Sequence, residues 1–208
     1  MKQLDFRLYL ITDRKLFASQ DLLFTAVEEA LKGGLWAIQL REKDFDLRDL
    51  LSIAYGMREL TKDYKAKLFI NDRVDIALAV KADGVHLGQK GMPAPAAKKI
   101  IQDKMMIGIS THSPDEAMKA EKDGADFITL GPIYQTSSKI KYGEPIGIDT
   151  LKKVRAKISI PIFGIGGIKL DKVKEVMKAG ADGVALISAI FTSHNIKKTT
   201  EEFLRLLR

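Results

Sequence analysis

The chain runs to 208 residues, 46% of them hydrophobic, with no cysteine and a formal net charge of +7 at pH 7. That is enough apolar material for one sizeable core, while the missing cysteines exclude disulfides, a thiolate nucleophile and cysteine-ligated zinc. The positive charge suits an acidic small molecule such as a phosphate ester, and the lysines are scattered without interleaved aromatics, so no nucleic-acid partner is expected.

In chain order, the N-terminal Met1-Lys-Gln-Leu-Asp-Phe-Arg7 has no apolar core of signal-peptide length, and no later run approaches a membrane span. A cytoplasmic protein that does not meet a membrane is expected. Short apolar runs then alternate with amphipathic stretches to the end of the chain. Strands are predicted at Leu8–Thr12, Ala37–Arg41, Lys67–Asn71, Gly84–Gly88, Met106–Ser110, Phe127–Leu130, Pro161–Ile165 and Gly183–Ile187, most followed by a helical pattern. Over Leu47–Asp63, Leu50, Leu51, Ala54, Met57 and Leu60 recur at spacings of three and four, one face of a helix.

A short echo supports a repeat. Lys81-Ala-Asp-Gly-Val-His-Leu87, Gly124-Ala-Asp-Phe-Ile-Thr-Leu130 and Gly180-Ala-Asp-Gly-Val-Ala-Leu186 each close a helix, turn at an Asp and open a strand. Eight strand–helix units close most simply into an α/β fold of the (β/α)8 TIM-barrel type, one domain over residues 1–208. A doubly wound open sheet is the alternative, but it would usually need fewer strands. In a barrel the site lies at the C-terminal strand ends, and polar, charged and Gly residues gather there.

Gln39, Arg41 and Lys43 alternate and so face one way while the strand lasts. An amide that donates and accepts can read a heterocycle edge, and two cations can hold a diphosphate. The competing reading is a surface salt-bridge network with Glu42 and Asp44. Asp72 suits two roles that do not exclude each other: N-cap of a helix over Arg73–Val80, or ligand for Mg²⁺ completed by substrate phosphates. His86 falls within a strand and is expected in the core or barrel lining. His112 is the one histidine placed to carry a proton, although His112-Ser113 before Pro114 equally suits a helix start. Nothing argues for a role of His194.

The run Phe127–Leu130 breaks at Gly131-Pro132 and leads to Thr136, Ser137, Ser138 and Lys139. Hydroxyls beside a compact cation suit a phosphate; a loop with a solvated lysine is the alternative. Gly164-Ile-Gly-Gly-Ile168 and Ile187-Ser188-Ala189 end strands seven and eight, the corner where barrels often hold phosphate on backbone N–H groups. The glycine spacing does not match the dinucleotide fingerprint, so a nicotinamide site is rejected. There is no Ser/His/Asp set and no metal-ligating His cluster.

With these residues in place, the chain resembles the thiamine phosphate synthases, also called thiamine-phosphate pyrophosphorylases, over essentially its whole length. The motifs are Leu8-Tyr-Leu-Ile-Thr-Asp13, Gln39-Leu-Arg-Glu-Lys43, Asn71-Asp-Arg-Val-Asp-Ile-Ala77, Gly84-Val-His-Leu-Gly-Gln89, Ile109-Ser-Thr-His-Ser113, Gly131-Pro-Ile-Tyr-Gln-Thr-Ser-Ser-Lys139 and Gly164-Ile-Gly-Gly167. The related thiazole tautomerases share the barrel and several of these motifs. The resemblance implies that hydroxymethylpyrimidine diphosphate and a hydroxyethylthiazole phosphate join to give thiamine phosphate, releasing pyrophosphate with Mg²⁺. Carried over by motif, Gln39 would read the pyrimidine, and Arg41, Lys43, Asn71 and Lys139 would hold the diphosphate. Asp72 would bind Mg²⁺ and Ser110 would lie near the pyrimidine. Thr136, Ser138, Gly167, Ile187 and Ser188 would receive the thiazole phosphate, and Lys43, Ser110 and Lys139 are the candidate catalytic residues. A homodimer is also implied.

One position departs from the family. The synthases generally carry an acidic second Mg²⁺ ligand two residues past the Gln of strand four, and here that place is Gly91. Three readings follow: the transferase, a tautomerase using His112 for acid–base chemistry, and a non-catalytic binder of phosphorylated ligands.

Overall fold

The computed structural model describes residues 4–102, 104–136 and 144–208. Eight strands follow one another around a closed barrel: β1 (Leu8–Ile11), β2 (Ala37–Leu40), β3 (Lys67–Asn71), β4 (Gly84–Leu87), β5 (Met106–Thr111), β6 (Phe127–Leu130), β7 (Ile162–Ile165) and β8 (Gly183–Leu186). Every pairing is parallel, and closure is made by β1 on β8, with Tyr9 opposite Ala185. The helices are α1 (Gln20–Lys32), α2 (Leu47–Asp63), α3 (Val74–Ala79), α4 (Ala94–Ile101), α5 (Pro114–Lys122), α6 (Gly147–Arg155), α7 (Val173–Lys178), α8 (Ser188–Phe191) and α9 (Ile196–Leu206). Among the described residues, no helix is long and apolar enough to cross a membrane.

The predicted strands sit where expected, with ends corrected by a residue. Thr12, Arg41, Gly88 and Ile187 fall beyond their strands, Pro161 precedes β7, and Thr111 extends β5. The reasons lie in the hydrogen bonds. The Arg41 N–H leaves the ladder to bond the Thr12 hydroxyl at 2.9 Å, while the Thr111 carbonyl still accepts from Gly131 at 3.1 Å.

Period-two alternation divides the apolar residues between two cores. Leu10, Ile38, Leu68, Val85, Ile128 and Val184 face outward beneath the helices. Tyr9, Phe69, Phe127, Phe163 and Ile165 face inward and fill the barrel, with Phe6 from the preceding segment among them. The Phe6 ring lies 5.2–5.9 Å from four neighbouring rings and closes the N-terminal end. Space for these rings comes from a missing side chain: a Cβ on Gly108 would stand 2.5 Å from the Phe127 ring and 2.5 Å from His86 Nδ1.

The echoed motif has a specific structural use. Lys81, Gly124 and Gly180 each hold a left-handed backbone, at φ +52°, +87° and +105°, ending α3, α5 and α7. The Asp two residues on then reaches back to the start of the preceding strand. Asp83 accepts from the Leu68 N–H at 2.8 Å, Asp126 from Ile107 at 2.7 Å and Asp182 from Ile162 at 2.9 Å. Each bond satisfies a strand-end donor and fixes one unit against the one before it. Ser19, Asp46, Ser113 and Asn195 cap α1, α2, α5 and α9 with their side chains.

Candidate active site at the C-terminal strand ends

The barrel's C-terminal mouth has two halves. One is built from β2 to β5. Glu42, just past β2, is buried, taking the Thr12 hydroxyl at 2.6 Å and the Arg14 N–H at 3.1 Å on each carboxylate oxygen. Burial pushes its carboxyl upward, more than these bonds pull it down. With Glu42 turned inward, Asp44 pairs instead with Arg14 at 2.6 Å and Lys15 at 3.6 Å. The salt-bridge network suggested for Arg41 and Lys43 with Glu42 and Asp44 is therefore not formed. Arg41 is half-buried and has no side-chain partner among the described residues, while Lys43 reaches Asp72 at 3.4 Å.

Asp72 is not the helix cap that its residue type suggested. Its backbone is left-handed at φ +58°, the N-cap of α3 is Arg73, and Arg73 caps nothing with its side chain. The Asp72 Oδ1 instead accepts from the Gly88 N–H at 2.7 Å, and its Oδ2 faces Lys43. Asn71 donates to the His86 carbonyl at 2.9 Å, so β3 and β4 hold this carboxylate between them. Gly91 lies against it: a Cβ there would stand 2.5 Å from Asp72 Oδ1. Lys43, Asn71, Asp72 and Arg73 line a cavity of about 240 Å³. No group of three or more His, Cys, Asp or Glu side chains among the described residues can hold a metal by itself.

Below this half lies a buried polar layer. Gln39 is 1% exposed and donates to the Tyr9 hydroxyl at 3.1 Å, placing it in the floor rather than on an open wall. His86 faces Tyr9 through Nδ1 and Ser110 through Nε2, at 3.5 and 3.1 Å. It lines the barrel, as its place within a strand suggested. Ser110 is the half-exposed member of the group. His112 takes the helix-start alternative: its N–H and its Nδ1 both meet Glu116 Oε2, at 2.7 and 3.1 Å, while Ser113 caps α5.

The other half is made by the segments after β6, β7 and β8. Ile133 and Tyr134 donate to the Ile165 and Gly166 carbonyls at 2.8 and 3.0 Å, laying the segment after β6 across the end of β7. Gly167 at φ +67° admits this approach, since a Cβ would stand 2.5 Å from the Gln135 carbonyl oxygen. Thr136, Gly166, Gly167, Ile187 and Ser188 line the resulting cavity of about 330 Å³. Ser137, Ser138 and Lys139 lie outside the described residues. A larger cavity, about 820 Å³, opens at the opposite face against Trp36, Leu204 and Arg205, far from these strand ends.

Tyr9 and Thr129 were given no role from the sequence, and Thr12 was read only as a polar residue at a strand end. Tyr9 could have been found by alternation, because Leu8 and Leu10 face outward and leave Tyr9 inside. Thr129 reads as an ordinary strand residue, and only barrel closure brings it to His86.

Fold and site together define a (β/α)8 barrel of the enzyme kind, with basic and polar side chains gathered at the C-terminal strand ends. More particularly, the chain belongs to the thiamine monophosphate synthase family, whose model matches residues 8–190. It is 51% identical over 207 residues to a putative thiamine-phosphate synthase of Geobacter sulfurreducens, covering 100% of this chain and 97% of that one. A thiamine-phosphate synthase of Clostridium acetobutylicum is 42% identical over 197 residues, with 95% and 92% covered. Among solved structures, the thiamine phosphate pyrophosphorylase of Pyrococcus furiosus superposes with a TM-score of 0.87 at 42% identity, covering 97% of this chain and 95% of that one.

Proposed function

We propose that this protein is a transferase of thiamine biosynthesis, joining hydroxymethylpyrimidine diphosphate to hydroxyethylthiazole phosphate to give thiamine phosphate and pyrophosphate. The observation that carries this reading is the division of the mouth. Lys43, Asn71 and Asp72 line a cavity on one side, with Arg41 half-buried just past the end of β2, and a separate cavity bounded by Gly167 and Ser188 lies on the other. Two phosphorylated substrates need two such places.

The chemistry suits these side chains. The bond from the pyrimidine methylene to the diphosphate oxygen breaks first, its electron pair leaving with pyrophosphate, and the ring spreads the positive charge left behind. The thiazole nitrogen then forms the new C–N bond with a lone pair it already has, so no strong base is required. Catalysis becomes positioning and neutralisation of the leaving group. Arg41, Lys43 and Asn71 hold the diphosphate, joined by Lys139. Ser110 orients the pyrimidine, and Gln39 supports it from the floor through its bond to Tyr9. Thr136, Ser138, Gly167, Ile187 and Ser188 receive the thiazole phosphate.

Asp72 is the residue that would hold Mg²⁺. A hard cation of this kind is commonly bound by one or two carboxylates completed by substrate phosphates and water, so a lone carboxylate beside a diphosphate pocket fits it. Bound there, the ion would neutralise charge on the departing pyrophosphate. With Gly91 in place of the usual second acid, substrate phosphates would supply more of the ligands, and Lys43 would share the neutralising role. The tautomerase reading loses ground because the whole-length relatives are thiamine-phosphate synthases and thiamine phosphate pyrophosphorylases. The positive charge favours an enzyme acting on small phosphorylated substrates.

Steady-state kinetics on two variants tests the division. Arg41→Ala should raise KM for the pyrimidine diphosphate at least tenfold, the worth of a charge-assisted contact, and leave KM for the thiazole phosphate nearly unchanged. Ser188→Ala should do the reverse, by a few fold. Parallel changes in both constants would overturn the assignment.

A further inference from the structure

The buried layer beneath the mouth has a direction. Gln39 donates an amide N–H to the Tyr9 oxygen at 3.1 Å. Burial pushes the Tyr9 phenol well above its usual range, so it keeps its proton and must donate it. Among the described residues the acceptor that faces it is His86 Nδ1, at 3.5 Å, the long limit of a hydrogen bond. A neutral imidazole that accepts at Nδ1 carries its proton on Nε2. That nitrogen faces Ser110 Oγ at 3.1 Å and, at longer range, Thr129 Oγ1 at 3.4 Å. A serine oxygen that accepts this proton has its own O–H left to give, and Ser110 is the member of the layer that is not buried.

We infer that His86 is a positioning residue that turns the Ser110 hydroxyl into a hydrogen-bond donor pointed at the mouth, selecting a pyrimidine that presents a ring-nitrogen acceptor there. The inference rests on the proposed synthase reading. Tyr9 and Gln39 act one step further back, holding the imidazole in the tautomer that makes Ser110 a donor. The opposite tautomer would leave two donors, the Tyr9 O–H and Nδ1–H, facing each other in a buried space. His86 touches no substrate in this account; its effect passes through Ser110.

Side-chain length provides the test. In His86→Gln the amide reaches the Nε2 position and can still donate to Ser110. In His86→Asn it reaches only the Nδ1 position, keeping Tyr9 company and abandoning Ser110. KM for hydroxymethylpyrimidine diphosphate should rise about tenfold in His86→Asn, the worth of one neutral hydrogen bond lost with its geometry, and stay within about threefold in His86→Gln. KM for the thiazole phosphate should hold within twofold in both, and His86→Asn should add almost nothing in a Ser110→Ala background. A flat KM in His86→Asn, equal losses for both substrates, or an undiminished effect in Ser110→Ala would overturn the inference while the synthase reading stands. A wild-type protein that makes no thiamine phosphate would remove the reading beneath it, and the inference with it.

Discussion

Asp72 sits in a left-handed backbone at φ +58° with one carboxylate oxygen bound to Gly88 N–H and the other facing Lys43. Asn tolerates that conformation about as well as Asp, so Asp72→Asn separates fold from charge. It should melt within a few degrees of the wild type while thiamine phosphate formation falls on the order of a hundredfold, as for loss of one electrostatic group at a reacting centre. A lower melting temperature with activity intact would assign Asp72 a structural role instead. Glu42 offers a pH test. Burial raises its carboxyl, so the folded state holds the proton more tightly than the unfolded chain does. The stability this contributes is full below the ordinary glutamate range and is lost as pH climbs through the raised value. Glu42→Gln has no charge to bury, so its melting temperature should gain on that of the wild type as pH rises from the ordinary glutamate range through the raised value. A gap that moves the other way across a pH series would mean that the Thr12 and Arg14 bonds outweigh burial.

At the scale of elements, the barrel is stapled from below by aspartates that look like turn residues. Asp126 is the cleanest to probe, because among the described residues its side chain bonds the Ile107 N–H alone, whereas Asp83 and Asp182 also pair with Arg58 and Arg155. Asp126→Ala should cost about 1–2 kcal/mol by leaving that donor unsatisfied, read as a lower urea midpoint with an unchanged slope. No change in midpoint would make the staple incidental. The elements themselves were legible: α2 spans Leu47–Asp63 as its apolar spacing predicts, and all eight strands fall where apolar runs lie between turns. Those patterns are local. The Asp72 cap was misjudged because one residue type serves both a cap and a left-handed turn, and only the backbone angle separates them. The His86 layer was hidden for another reason: Tyr9 and His86 are 77 residues apart and meet only through barrel closure. Ser138 and Lys139, proposed from sequence, lie outside the described residues.

For the whole molecule, the fold separates stability from chemistry along the barrel axis. Phe6 and its ring neighbours seal one end, and the charged mouth occupies the other. Phe6→Ala should cost about 3–5 kcal/mol, as large-to-small changes in packed aromatic cores do, and leave both KM values where they were at temperatures below its melting point. A shift in either KM would show that the two ends are coupled. The central claim is that this mouth joins two phosphorylated substrates despite Gly91. Its most direct test is pyrophosphate and thiamine phosphate measured together from the purified protein, given both substrates with and without Mg²⁺, beside Gly91→Asp. The unaltered chain should give equal amounts of the two products, dependent on Mg²⁺. No product from the unaltered chain, with Gly91→Asp active, would show that one carboxylate is not enough and contradict the claim.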